Sequence, residues 1–166
     1  SEMCIRDRHE GEVSTILHDE ISEGDMINLS APVGGFSIEN TERPQLFIGS
    51  GVGMTPLVSM FKKAASLNVP TQMIQAVVTE DERPFAQKLD SITANHEQAQ
   101  LHLHVKDKEG YLEAKELEQY LSEQPEIYIC GGTKFLHSII NSLKELNYDM
   151  NHVHFETFIP RLSVQV

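Results

Sequence analysis

The sequence predicts an α/β fold, a five-stranded parallel sheet in the order 3-2-1-4-5 with helices on both faces, preceded by the tail of another domain. Apolar runs of strand length alternate with stretches of helical spacing from Gln45 to Phe155, and no internal repeat or low-complexity segment interrupts them. Two strand–helix junctions in this stretch are glycine-rich. Residues before Pro44 break the alternation.

The elements follow in order. Gln45-Leu46-Phe47-Ile48-Gly49 is a first strand, and Leu57, Phe61, Ala64 and Ala65 mark the helix after it. Met73-Ile74-Gln75-Ala76-Val77-Val78 is a second buried strand, followed by a weaker helix over 85–95. Leu101, Leu103 and Val105 alternate with His102 and His104, as in a strand with one face less buried. A polar amphipathic helix over 112–121 leads to the fourth strand, Ile127-Tyr128-Ile129-Cys130. Phe135, Leu136, Ile139, Ile140, Leu143 and Leu146 give the clearest helix, and Val153-His154-Phe155 a fifth strand. Strands separated by helices require crossover connections, hence a parallel sheet covered on both faces.

The N-terminal part reads differently. Residues 13–18 suggest a helical turn with Ser14 as N-cap. Met26-Ile27-Asn28-Leu29-Ser30 alternates like a strand before Pro32, Gly34 and Gly35 break the chain. Roughly 35 residues without a disulfide or metal are too few to fold alone, so the expected division is 1–8, 9–43 as the end of a preceding domain, and 44–166.

Composition narrows the function. Of 166 residues, 40% are hydrophobic and 23% charged, which is ordinary for a globular protein. Acidic residues outnumber basic ones 25 to 13, for a net charge of −12, which argues against nucleic acid or an anionic membrane as a partner. No apolar run approaches the ~20 residues of a membrane span, and the first eight residues lack a signal-peptide core. Cys4 and Cys130 alone make neither a disulfide framework nor a thiolate metal site. A cytoplasmic protein is expected.

The chemistry concentrates in two loops. Gly49-Ser50-Gly51-Val52-Gly53-Met54-Thr55-Pro56 follows a strand and opens a helix, with Thr55 placed to cap and Pro56 at the first helical position. Such a turn admits close approach of a ligand, and the helix start favours a pyrophosphate. The full Gly-x-Gly-x-x-Gly fingerprint is not met, because Met54 holds its third position. Cys130-Gly131-Gly132-Thr133 has the same strand–glycine–helix design. In the order 3-2-1-4-5, strands one and four flank the reversal of strand order, where open sheets bind ligands. Both loops are therefore expected side by side at the carboxyl edge. The alternative for either loop alone is a bare tight turn, and Cys130 alone reads as a small buried hydrophobe.

Several motifs together resemble the ferredoxin-reductase-type flavoproteins: Gly11-Glu12-Val13-Ser14 with Leu17-His18, Ser30-Ala31-Pro32-x-Gly34-x-Phe36, Gly51-Val52-Gly53-Met54-Thr55-Pro56 and Ile129-Cys130-Gly131. The ending His154-Phe155-Glu156-Thr157-Phe158-Ile159-Pro160 is most similar to that of flavohaemoglobins, the bacterial nitric oxide dioxygenases. In that family a globin carries haem, a β-barrel carries FAD, and a final α/β domain receives NAD(P)H. The resemblance runs from about His9 to Val166 and implies that 9–43 is a remnant of the flavin-binding barrel. The globin, the first half of the barrel and its Arg-x-Tyr-Ser segment have no counterpart here, residues 1–8 match nothing in the family, and the chain by itself is not expected to retain FAD.

The resemblance assigns roles residue by residue. It places Gly11, Val13 and Ser14 at the FAD pyrophosphate, and Gly51, Val52, Gly53, Met54, Thr55 and Pro56 under the NAD(P)H pyrophosphate. Cys130, Gly131 and Gly132 fall beside the nicotinamide, and Glu156 and Phe158 near the flavin ring. Gly132 replaces the family's usual Pro, Lys134 a common Gly, and Ile159 a Gly. The implied reaction is hydride transfer from NAD(P)H to FAD, then electrons to haem in an upstream globin, or to another acceptor. It requires no catalytic acid–base pair. NADH is favoured over NADPH, because Glu80, Asp81 and Glu82 cluster at the end of the second strand with only Arg83 to offset them. The other class of function is a non-catalytic nucleotide-binding module. His102-x-His104 and His152-x-His154 each share a strand face but lack a third ligand, so they read as strand histidines rather than a metal site. Glu113, Glu116 and Glu118 read as a solvated helix face.

Overall fold

Strands that are apolar on both faces need cover on both faces, and this chain provides it with helices drawn from successive crossovers. The computed structural model describes residues 12–28 and 34–157. The chain divides into two units, the first ending at Gly35 and the second opening at Phe36.

In the first unit, helix α1 spans Glu12–Asp19. Ser14 therefore lies inside the helix rather than capping it, because the helix already begins at Glu12. The strand expected at 26–30 is absent over its described part, and Met26 is 99% exposed. Alternation of apolar and polar residues makes a strand only when a neighbour completes the hydrogen bonds, and no strand pairs there among the described residues. Instead the Asp25 carboxylate accepts the Ser22 N–H at 2.8 Å and fixes a local turn.

The second unit carries the sheet. Its strands are β1 (Gln45–Ser50), β2 (Thr71–Val77), β3 (Ala99–Val105), β4 (Glu126–Gly131) and β5 (Val153–Thr157). They are parallel and ordered β3-β2-β1-β4-β5, the order expected from the sequence. Helices α2 (Met54–Ser66) and α3 (Ala86–Asn95) cover one face, where Phe47, Leu57, Phe61, Met73, Leu89 and Tyr128 form a core. After β3 come a short helix α4 (Lys106–Glu109), then α5 (Ala114–Glu118) and, beyond β4, α6 (Thr133–Glu145). The last two cover the other face over Ile48, Ile74, Ile127, Ile129, Leu136 and Leu143. Residues 36–43 also belong to this unit: Phe36 meets the Tyr128 ring edge-on, with centroids 6.1 Å apart.

Two helical expectations change. The helix expected over 112–121 shortens to α5, whose start is a capping box between Glu113 and Glu116. These two glutamates thus satisfy the helix's free N–H groups rather than simply coating a solvated face. Thr55 does not cap α2, since Gly53 holds that position and Pro56 is the third helical residue, not the first. The reason is a 3-10 turn over Gly51–Gly53 that begins the winding early, and the Thr55 hydroxyl donates to the Val52 carbonyl at 2.7 Å within it. No helix among the described residues is long and apolar enough to cross a membrane.

Candidate functional site

The register pairs Gly49 with Cys130 on adjacent strands β1 and β4. The two glycine-rich loops therefore leave the same carboxyl edge side by side, at the point where strand order reverses. Their contact is closest at Gly53. A Cβ on this residue would lie 2.2 Å from the Cys130 carbonyl oxygen and 2.5 Å from the Gly131 nitrogen. Gly53 has ordinary helical angles, so space rather than backbone conformation demands glycine there. Gly51 is the opposite case, with φ of +54° and open space around it. Val52 is half-buried, and Met54 and Thr55 are buried at the start of α2, so only the turn itself faces outward.

The second loop continues β4 into α6. Cys130 is fully buried and opposite Glu156 on β5. Burial pushes its thiol up to about 12, and the Glu156 carboxylate adds to the shift. The thiol is therefore uncharged at neutral pH and is no nucleophile. Gly132, at the N-cap of α6, is exposed with φ of −68° and ψ of 157°. Those angles suit the proline that the resembling family carries at this position.

Beside the loops, on the α6 face, lies a cleft of about 540 Å³. Ser50 and Ala76 form its floor, with Lys106, Tyr111, Lys134 and Phe135 among its walls. The Lys106 ammonium sits 4.6 Å from the centre of the Tyr111 ring, an arrangement favourable by cation–π attraction. Lys106 and Tyr111 are not among the residues that the sequence singles out. Their signal was available: Lys106 directly follows β3, at the same sheet edge as both glycine loops.

The acidic run after β2 folds as a 3-10 turn over Glu80–Glu82. Glu80 accepts a hydrogen bond from Lys108 at 2.6 Å, which holds its carboxyl below the usual range. Arg83 is turned toward Asp90 on α3, at 3.0 Å.

The other expected residues lie as follows. Val13 and Ser14 lie in α1, in the other unit, and Gly11 and Phe158 fall outside the described residues. Glu156 is exposed at the end of β5. The four histidines are engaged elsewhere, and His152 lies in a 3-10 turn just ahead of β5 rather than on the strand expected for it. His102 bonds Gln72 at 3.0 Å, His104 the Gly110 carbonyl at 3.0 Å, and His152 and His154 both bond Glu126.

Residues 47–140 match the family described as the oxidoreductase NAD-binding domain. A flavohemoprotein of Bacillus cereus is 30% identical over 96% of this chain, and one of Pseudomonas aeruginosa is 28% identical over 93%. The chain spans less than half the length of these relatives, 44% and 42%. The flavohem-like FAD/NAD-binding domain of nitric oxide dioxygenase from Vibrio cholerae superposes with a TM-score of 0.79 at 28% identity, over 90% of this chain and 65% of that one. A flavohemoglobin from Malassezia yamatoensis shares the fold, with a TM-score of 0.73 at 19% identity over 93% of this chain and 43% of that one.

Proposed function

Because the chain belongs to the oxidoreductase NAD-binding domain family, we propose that it is the reductase portion of a flavohaemoglobin-like nitric oxide dioxygenase, passing hydride from NAD(P)H to FAD and then electrons to haem in an upstream globin. The observation that carries this reading is the closure of Gly53 onto the Cys130–Gly131 peptide, which joins the two glycine loops into one unit, flanked through Ser50 and Lys134 by the 540 Å³ cleft.

The residues fit a dinucleotide. The turn over Gly51–Gly53 and the first turn of α2 present a helix N-terminus, which suits a pyrophosphate. Lys106 and Tyr111 offer a cation and a ring face in the adjoining cleft, suited to an adenosine. When bound, the nicotinamide supplies the hydride and the flavin accepts it. The protein's share is orientation and exclusion of water. Cys130, held uncharged by burial, and Gly131 and Gly132 wall the side assigned to the nicotinamide ring. Gly11, Val13, Ser14, Glu156 and Phe158 are assigned to the flavin. NADH is the preferred donor, because Glu80, Asp81 and Glu82 oppose a 2′-phosphate and Arg83 is engaged by Asp90. A cytoplasmic setting belongs to the same reading.

Titration of the chain with NAD⁺, followed by amide NMR shifts, tests the site. Saturable shifts at 51–55 and 130–133 are expected. Shifts confined to other surfaces, or none at millimolar ligand, would overturn the assignment.

A further inference from the structure

A second cluster sits at the amino edge of the sheet, where residues 39–43 lead into β1. Glu126, only 3% exposed, opens β4 there. Its carboxylate accepts from His152 Nδ1 at 2.7 Å on one oxygen and from His154 Nε2 at 2.9 Å on the other. The other nitrogen of His152, Nε2, meets the Arg43 guanidinium. A guanidinium has only donors, so Nε2 must be bare and His152 must be neutral, with its proton on Nδ1. Arg43 then donates to His152, and His152 donates to Glu126.

The rest of the surroundings bear on this chain of bonds. Arg43 also lies 4.0 Å from Glu126, and Asp149 Oδ2 lies 3.8 Å from His152 Nε2. His154 stacks on Tyr128, with Nδ1 3.7 Å from Glu39. The Tyr128 hydroxyl accepts the Glu39 N–H at 3.0 Å, and Tyr148 donates to the Pro125 carbonyl nearby. Segment 39–43 is thus held by Glu39 on Tyr128, by Arg43 on His152, and by Gln45, whose amide donates to the Asn40 and Arg43 carbonyls at 2.8 and 2.7 Å.

We infer that Arg43, His152 and Glu126 form a pH-sensitive latch on this segment, independent of the nucleotide site. A proton added to His152 lands on Nε2, the only bare nitrogen. That turns the acceptor facing Arg43 into a donor, and sets two cations against each other. Asp149 is positioned to accept the new N–H instead, while Glu126 keeps its bond to Nδ1. Acid therefore moves His152 from Arg43 to Asp149 and loosens the segment that carries the chain into β1 by the loss of one of its three tethers, while Glu39 on Tyr128 and the Gln45 amide stay in place. Neutral pH restores the grip.

Long-range ¹⁵N NMR of the histidine rings and hydrogen exchange of the chain test the latch together. At about pH 8, His152 should show a protonated Nδ1 and a bare Nε2. Protection of the Glu39 amide, corrected for intrinsic exchange, should fall roughly tenfold when the solution is taken from about pH 8 to about pH 5. His152→Gln keeps an acceptor for Arg43 and a donor for Glu126 but cannot titrate, so protection should persist at acid pH. Asp149→Asn removes the negative charge that stabilises the acid-side N–H, leaving only a neutral acceptor, and should move the transition to lower pH. The inference is overturned by a protonated Nε2 at pH 8, by pH-independent protection in the parent, or by an unmoved transition in Asp149→Asn. It is equally overturned if folded His152→Gln loses protection with acid as the parent does.

Discussion

Gly53 and Cys130 approach so closely that a single added carbon on Gly53 would sit 2.2 Å from the Cys130 carbonyl oxygen. Both partners in this contact are backbone, so neither can rotate away. The two loops of the site are therefore one packed unit, and the geometry of each depends on the other.

Gly53→Ala should accordingly be costly. Forcing atoms into a filled site typically costs 1–3 kcal/mol, and an immovable neighbour puts this case near about 3. For a chain of this size that lowers the melting temperature by about 6–12 °C. Gly51→Ala meets nothing within 4 Å but must hold a left-handed backbone, at about 1–2 kcal/mol. Thermal unfolding of both variants checks the ranking. A milder effect at Gly53 than at Gly51 would show that the loops can separate.

Gly132→Pro should stabilise. The residue already has φ of −68°, nothing lies within 4 Å of its added carbon, and α6 begins immediately after it. Restricting the unfolded chain at a compatible position contributes about 0.4–1 kcal/mol. Urea unfolding measures it, and a loss of stability would mean that the Gly132 N–H has a role of its own.

Glu126 makes stability depend on acid. Burial raises its carboxyl, but the hydrogen bonds from His154 and His152 outweigh burial and leave it below its ordinary value. A carboxyl lowered by folding stabilises above its unfolded-state value, and that contribution is lost as pH falls through the lowered one. Glu126→Gln should cost about 1.5–3 kcal/mol near pH 7, as charge-assisted hydrogen bonds are lost. The gap to the parent should narrow below about pH 4. Urea unfolding at both pH values measures it, and a constant gap would place the cost in packing.

The proposed preference for NADH can be probed at Glu80, which is paired with Lys108. AMP should bind this chain more tightly than 2′-phospho-AMP. Glu80→Gln removes a negative charge and frees Lys108, which should narrow the difference by up to about fivefold, the scale of an exposed ion pair. Calorimetry with the two nucleotides reads both values. Tighter binding of 2′-phospho-AMP to the parent would reverse the assigned preference.

Sheet order and both glycine loops were legible in the sequence because their signals are local. Phe47 and Ile48 in a strand-length run, the helical spacing of Ile139 and Leu143, and glycines at strand ends each report on a few neighbouring residues. Chain connectivity then restricts the order of the strands. The structure alone decided what depends on distant residues meeting. Thr55 looked like a cap, but the early turn over Gly51–Gly53 moved the helix start ahead of it. Met26 to Asn28 alternated like a strand, yet no partner pairs with them among the described residues. Glu126, His152 and Arg43 come from three separate segments, and nothing in their spacing forecasts that they meet in one hydrogen-bonded chain. Periodicity records which side of an element is buried, whereas hydrogen-bond partners and steric limits are set by atoms that meet only after the chain has folded.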